Sequence, residues 1–228
     1  MSEARVAASP ASDAEASEGR VPPLSSLSSL SSLSSRVQAR LCRCYGIDGT
    51  LEVDDFVVPS DDGDREQLII REGPEGLELG LCLPRAVAGA AHASSLDELC
   101  QVVEGVSHFV YVSERARREQ PVTELELELQ AEVDKWVMLV DPCHGGFDAS
   151  WSARVRESLY GRVRYAHPRG SERGDRYRMA NELAARFAGG LERRCIQDGA
   201  PRVEGLRQSL RRFYWASQGD KLAMAQAA

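Results

Sequence analysis

Residues 121–140 read Pro-Val-Thr-Glu-Leu-Glu-Leu-Glu-Leu-Gln-Ala-Glu-Val-Asp-Lys-Trp-Val-Met-Leu-Val and carry two periodicities at once. From Thr123 to Gln130 the chain alternates strictly, with Leu125, Leu127 and Leu129 set against Glu124, Glu126 and Glu128, as in a half-buried strand. Val122, Leu125, Leu129, Val133, Trp136 and Val140 meanwhile recur at three- and four-residue steps, as on one face of a helix. The helical spacing continues through Val140, whereas the alternation stops at Gln130, so the segment is read as a helix opened by Pro121. Leu127 and Met138 then fall opposite the main stripe. A helix apolar on two sides is either central in a core or in contact with a partner.

The stretch before it has the same period. Ser95 and Glu98 form a capping box, and Leu96, Leu99, Val103, Val106 and Val110 follow at helical steps to about Arg118. Phe109 to Val112 is rich in β-formers, which keeps a strand open there too. The short Arg-Glu-Gln-Pro connection makes the two helices antiparallel neighbours over residues 95–140.

Upstream the period changes. Val37, Leu41 and Cys44 or Tyr45 predict a short helix stopped by Gly46. Leu51 to Val58, Gln67 to Arg71 and Leu77 to Leu83 then read as strands, the last two joined by Gly73-Pro74-Glu75-Gly76. A three-stranded antiparallel meander is expected. Asp61-Asp62-Gly63-Asp64 resembles part of a calcium loop but lacks the remaining ligand positions, and is read as an exposed acidic turn.

Downstream, Asp141 to Gly146 is a loop and Arg162 to Arg176 a polar surface segment. Asp175 opens a helix carrying Tyr177, Ala180, Ala184, Phe187 and Leu191, and Val203, Leu206, Leu210 and Phe213 mark another. The fold class is therefore α+β: a small three-stranded antiparallel sheet packed with amphipathic helices, and a helical C-terminal half. Residues 35–220 form one domain, with 35–90 a helix plus meander, 95–140 the helical pair and 150–220 the basic helical part. Residues 1–34 are an Ala-, Ser- and Leu-rich arm ending in Leu-Ser-Ser repeats, expected to be disordered because it cannot bury enough apolar surface.

Charge is divided along the chain. Residues 1–150 hold 27 acidic and 12 basic residues, and residues 151–228 hold 8 acidic and 16 basic. Such asymmetry marks either a polyanion-binding tail or two opposed surfaces that meet. Basic residues are arginines apart from Lys135 and Lys221, and with abundant Ala and Gly this points to a GC-rich bacterial genome. Met1 to Pro23 lacks the apolar run of a secretory signal, and no stretch nears eighteen apolar residues, so a cytoplasmic protein without membrane contact is expected. The six cysteines lack zinc-site spacing, although Cys42 and Cys44 form a C-x-C pair.

No P-loop, dinucleotide fingerprint or Gly-x-Ser-x-Gly motif occurs, and no cofactor is expected. Glu104 and His108, four apart on the first long helix, can share a metal, yet they lie off the apolar stripe and read as a solvated pair. Glu126 and Glu132 only flank the stripe of the neighbouring helix. Cys143-His144 lies in a Gly-rich loop but cannot by itself form a nucleophile–base dyad.

The segment 36–105, in the order helix, three strands, helix, resembles the start of the type III secretion chaperone-like fold, small cytoplasmic α+β proteins that dimerise and bind an extended partner segment. With residues 109–112 and 123–130 as strands the likeness would extend to about Val140; with helices it stops at residue 105. The resemblance implies a binding protein.

The expected function is accordingly a non-enzymatic, adaptor- or chaperone-like interaction module with a protein partner or a second copy. Glu124, Glu128, Leu127, Met138, Arg207, Arg211, Arg212 and Trp215 are its candidate contact residues, the basic C-terminal helices docking on the acidic helix. Two alternatives stay open: a nucleic-acid binder using Arg207, Arg211, Arg212 and Trp215, and a metal-dependent enzyme using Glu104 and His108.

Overall fold

A computed structural model describes residues 3–7, 31–61, 65–73, 76–142, 147–197 and 203–228. Among them are strand β1 (Glu3–Ala7), helix α1 (Leu33–Tyr45), β2 (Val57–Ser60), β3 (Gln67–Gly73) and β4 (Gly76–Pro84). Helices α2 (Leu96–Arg117), α3 (Glu124–Val140), α4 (Ala149–Arg156), α5 (Glu172–Gln197), α6 (Val203–Trp215) and α7 (Gln218–Gln226) follow. The class is α+β with a helical C-terminal half, as the periodicities imply.

The helical reading of residues 95–140 holds throughout, including Phe109–Val112 and Thr123–Gln130. Local chemistry sets both starts. The Ser95 hydroxyl accepts from the Glu98 amide, and Thr123 forms a reciprocal capping box with Glu126, so α3 begins after Thr123 rather than at Pro121. The alternation in Glu-Leu-Glu-Leu-Glu-Leu does not make a strand because α3 has no solvent face: every residue from Glu126 to Leu139 is buried. Leu127 and Met138 sit inside this core, which is the central-helix alternative.

The sheet differs from an antiparallel meander. Strands β3 and β4 form the expected hairpin, but β2 pairs with β4 in parallel, so residues 57–84 make a mixed three-stranded sheet. Val53–Phe56 is a 3-10 turn rather than strand, and β2 lies on the edge of β4 away from β3. Glu3–Ala7 adds an antiparallel edge on β3. That stretch of the arm is therefore strand, and the helix starts two residues earlier than Ser35: Ser32 caps α1, and Leu33, the last leucine of the triplet repeat, is buried with its amide bonded to the Ala90 carbonyl. Residues 8–30, the acidic turn at 62–64, the turn residues 74–75 and Cys143-His144 lie outside the described residues. The polar stretch before Arg176 already belongs to α5, which starts at Glu172, and α4 went unread in the sequence.

Sheet and helices meet at Gly105. A Cβ there would lie 2.9 Å from Leu81 Cδ1 and 3.3 Å from both Leu83 Cδ2 and Glu66 Cγ. Leu81 and Leu83 are wholly buried and cannot swing aside. Gly105→Ala should thus destabilise the protein by about 1–2 kcal/mol, because overpacking of ~1–3 kcal/mol exceeds the gain in helix propensity of ~1 kcal/mol. Urea denaturation of the variant against wild type measures the difference.

Candidate metal centre between the two central helices

Helices α2 and α3 run antiparallel, and their register brings Glu104 and His108 against Glu128, Glu132 and Lys135. Residues 128, 132 and 135 of α3 share a face by helical spacing. Glu104, His108 and Glu128 each offer a donor atom, and the three donors lie within 4.8 Å of one another. All three are buried, Glu104 at 3%, His108 at 2% and Glu128 at 1% relative exposure. This corrects the reading of Glu104 and His108 as a solvated pair. The inward carboxylate that two-helix coordination needs is Glu128, not Glu126, and Glu132 lies on the same inner face.

The imidazole is oriented by the backbone. His108 hydrogen-bonds the Leu127 carbonyl and its Nε2 has no partner, so the bond runs through Nδ1. Nε2 then carries the lone pair and points at Glu128 Oε2, 3.9 Å away. Burial pushes His108 down to about 4, outweighing the opposite pull of Glu104, so the ring is neutral at pH 7. A ring N–H held by a carbonyl, leaving the other nitrogen free to ligate, is the usual arrangement of a metal-binding histidine.

The surrounding carboxylates are crowded. Burial, then Glu104, holds Glu128 well above the usual carboxylate range, and its Oε1 has no hydrogen-bond partner. Glu66, reaching in over Gly105 from the start of β3, is raised by the same two causes, and neither of its oxygens has a partner. Lys135 donates to Glu132 Oε1 at 2.8 Å and to Glu104 Oε2 at 3.3 Å. Burial by itself would lower the Lys135 ammonium, but Glu104 and Glu132 together hold it raised and charged. Cys100 nearby is pushed up to about 12 by burial and remains a thiol.

The opposite face of α3 has another polar group, built from Glu126, Gln130 and Asp134. There the bonding closes. Asp134 accepts from Tyr45, from Ser107 at 2.6 Å and from Gln130 at 2.8 Å. Lys221 of α7, fully buried, donates to Gln130 Oε1 at 2.6 Å and lies 4.4 Å from the Tyr111 ring centroid and 4.9 Å from that of Phe213. Arg115 meets Glu126 at 3.7 Å.

The remaining sequence candidates lie elsewhere. Arg211 donates to the Cys44 carbonyl and Trp215 to the Tyr45 carbonyl, so both satisfy the last carbonyls of α1. Arg118 stacks on Trp215 at 3.8 Å, Arg207 pairs with Glu204, and Arg212 is exposed. The expected docking of Arg211 and Arg212 on α3 is therefore replaced by docking of α6 on α1. The basic part does reach α3 through α5, where Arg176 pairs with the exposed Glu124. Glu66 was missed in the sequence reading. A lone acid before an apolar strand gives no hint of burial; only its approach over Gly105 does.

Comparison with protein-family models, curated proteins and solved structures finds no match. The likeness to type III secretion chaperones rests on element order and ends at residue 105, because α2 and α3 are helices. Among the described residues no helix is long and apolar enough to cross a membrane.

Lys221 gives a pH test of the closed face. Burial pushes it down to about 7 from an ordinary 10.5, against the pull of Asp134. Between those values the unfolded chain holds a proton that the fold has released, so this residue makes stability rise with pH from about 7 to 10.5. Asp134, raised by burial to about 6 from 3.8, works in the opposite sense at lower pH, its contribution falling as pH rises through 6. Lys221→Met should flatten the melting temperature between pH 7 and 10 relative to wild type, as followed by circular dichroism.

Proposed function

We propose that this protein binds a divalent transition-metal ion through Glu104, His108 and Glu128 and acts as a metal-dependent protein, with the buried Glu66 carboxyl adding to the acidic surroundings of Glu104. What carries the reading is His108 Nε2: a buried lone pair, without a hydrogen-bond partner, 3.9 Å from Oε2 of a carboxylate whose other oxygen, Oε1, also lacks one. Two acceptors facing each other in a dry interior repel unless a proton or a cation lies between them, and the cost of leaving buried groups unpaired is about 1–3 kcal/mol each. One imidazole with two or three carboxylates suits zinc, manganese or ferrous iron. Metal bonds of about 2.0–2.2 Å require the donors to draw together by roughly 1 Å, which side-chain rotation supplies.

Three protein donors leave coordination positions open, and in those a metal supplies Lewis acidity and an acidified water. The interaction-module reading draws on Leu127 and Met138, which are core residues, and on Arg211 and Trp215, whose polar groups are engaged with α1. Glu124, Arg207 and Arg212 remain for it at the surface.

Titration of metal-stripped protein with zinc, manganese and ferrous ions, the last without oxygen, tests the proposal. One of them should bind stoichiometrically and stabilise the fold by about 3 kcal/mol at a hundredfold excess over Kd. His108→Ala and Glu128→Gln should lose that stabilisation. Glu128→Gln should leave the metal-free protein at least as stable as wild type, since it removes an unpaired buried acid, and this separates loss of binding from loss of folding. Absence of saturable binding by wild type, or unchanged binding by Glu128→Gln, defeats the assignment.

A further inference from the structure

The centre holds four carboxylates, from Glu66, Glu104, Glu128 and Glu132, but the three-donor group uses only Glu104 and Glu128. Glu132 instead faces the Lys135 ammonium, which it shares with Glu104. Glu104 thus stands between two cation positions: one lined by His108 and Glu128, the other filled by Nζ of Lys135. We propose that Lys135 is the built-in second cation of this centre, its ammonium occupying the Glu104–Glu132 half and so limiting the protein to one metal ion. This rests on the metal reading above.

Three observations support it. First, the geometry matches: Lys135 Nζ lies 3.3 Å from Glu104 Oε2 and 2.8 Å from Glu132 Oε1, so a side-chain cation already stands between those two carboxylates. Second, the chain uses 26 arginines and only two lysines, and both lysines are buried. A compact ammonium with three donors can serve two carboxylates at once. Third, the opposite face of α3 also takes in a buried lysine, Lys221, whose Nζ donates to Gln130 Oε1 at 2.6 Å beside Asp134. That group has the lysine and closed bonding; the centre has the lysine and still leaves His108 Nε2, Glu128 Oε1 and Glu66 unpartnered. One cation is supplied by the chain and one is left to solution.

Lys135 is a positioning residue in this account, and metal stoichiometry is the readout that a merely structural lysine would not move. Metal-stripped full-length wild type, Lys135→Met and Lys135→Arg are titrated with manganese and zinc, and bound ions are counted by native mass spectrometry. Wild type and Lys135→Arg should hold one ion and Lys135→Met two, or Lys135→Met should fold only on metal addition and then hold two. One ion in Lys135→Met with wild-type affinity overturns the inference while leaving the metal reading intact. No ion in any of the three overturns the metal reading itself.

Should Lys135→Met not fold under any condition, wild type decides. Labelling with 15N-lysine at pH 6, below the value of about 7 to which burial holds Lys221, gives two side-chain ammonium signals, and cobalt(II) at the centre should displace that of Lys135 far more than that of Lys221. Equal displacement of the two refutes the proposal.

Discussion

Helix α3 takes Glu126, Glu128, Glu132 and Asp134 out of water together, and the rest of the molecule is arranged around compensating them. An isolated ionised carboxylate in a protein interior is penalised by several kcal/mol even after relaxation, so each needs a cation, a proton or converging donors. The helical repeat sorts the four onto two faces, Glu126 and Asp134 with Gln130 on one, Glu128 and Glu132 with Lys135 on the other. Helices α1, α2, α6 and α7 supply what the first face lacks; α2 and the start of β3 line the second without completing it.

The two faces differ in how far that compensation goes. On the Asp134 side, three hydroxyl and amide donors and a lysine over aromatic rings leave the carboxylate fully bonded, the condition under which a buried polar network rigidifies a core. On the Glu128 side the compensation falls short: Arg176 acts on Glu128 through its charge while its guanidinium pairs with Glu124. Lys135 serves Glu132 and Glu104, and the imidazole turns its N–H away toward the Leu127 carbonyl, adding an acceptor to a place already rich in them. Packing stabilises this arrangement from outside: Trp136 bonds Ser152, which in turn bonds Glu192 held by Arg156, so the far side of α3 is pinned by α4 and α5. The site is therefore rigidly framed but electrostatically incomplete, the combination that a metal ion stabilises.

The C-terminal helices explain the divided charge in structural terms. Arg211 and Trp215 close the end of α1, and Lys221 enters the core below Tyr111. The basic segment is thus drawn on to seal carbonyls and carboxylates contributed by the acidic part, with single well-placed contacts rather than a charged surface meeting another. Exposed pairs such as Arg207–Glu204 add little beside these, on the order of 0.5 kcal/mol.

Much of this is written locally in the chain. Capping residues Ser95 and Thr123, the stop at Gly46 and the unbroken three-and-four spacing through Val140 specify α1, α2 and α3, because caps and periodicity act over one or two turns. The α+β class and the helical C-terminal half follow from the same short-range rules. The partner of β2 does not, since β2 pairs with β4 rather than with its neighbour in sequence, β3. Nor does the fate of Glu104 and His108: periodicity distinguishes an apolar face from a polar one, but whether the polar face meets water depends on how many elements surround the helix. Tertiary packing on every side of α2 and α3 turned a pair that reads as solvated into a buried donor set, and only that packing brought Glu128 and Glu66 to it, from parts of the chain with no local relation to either.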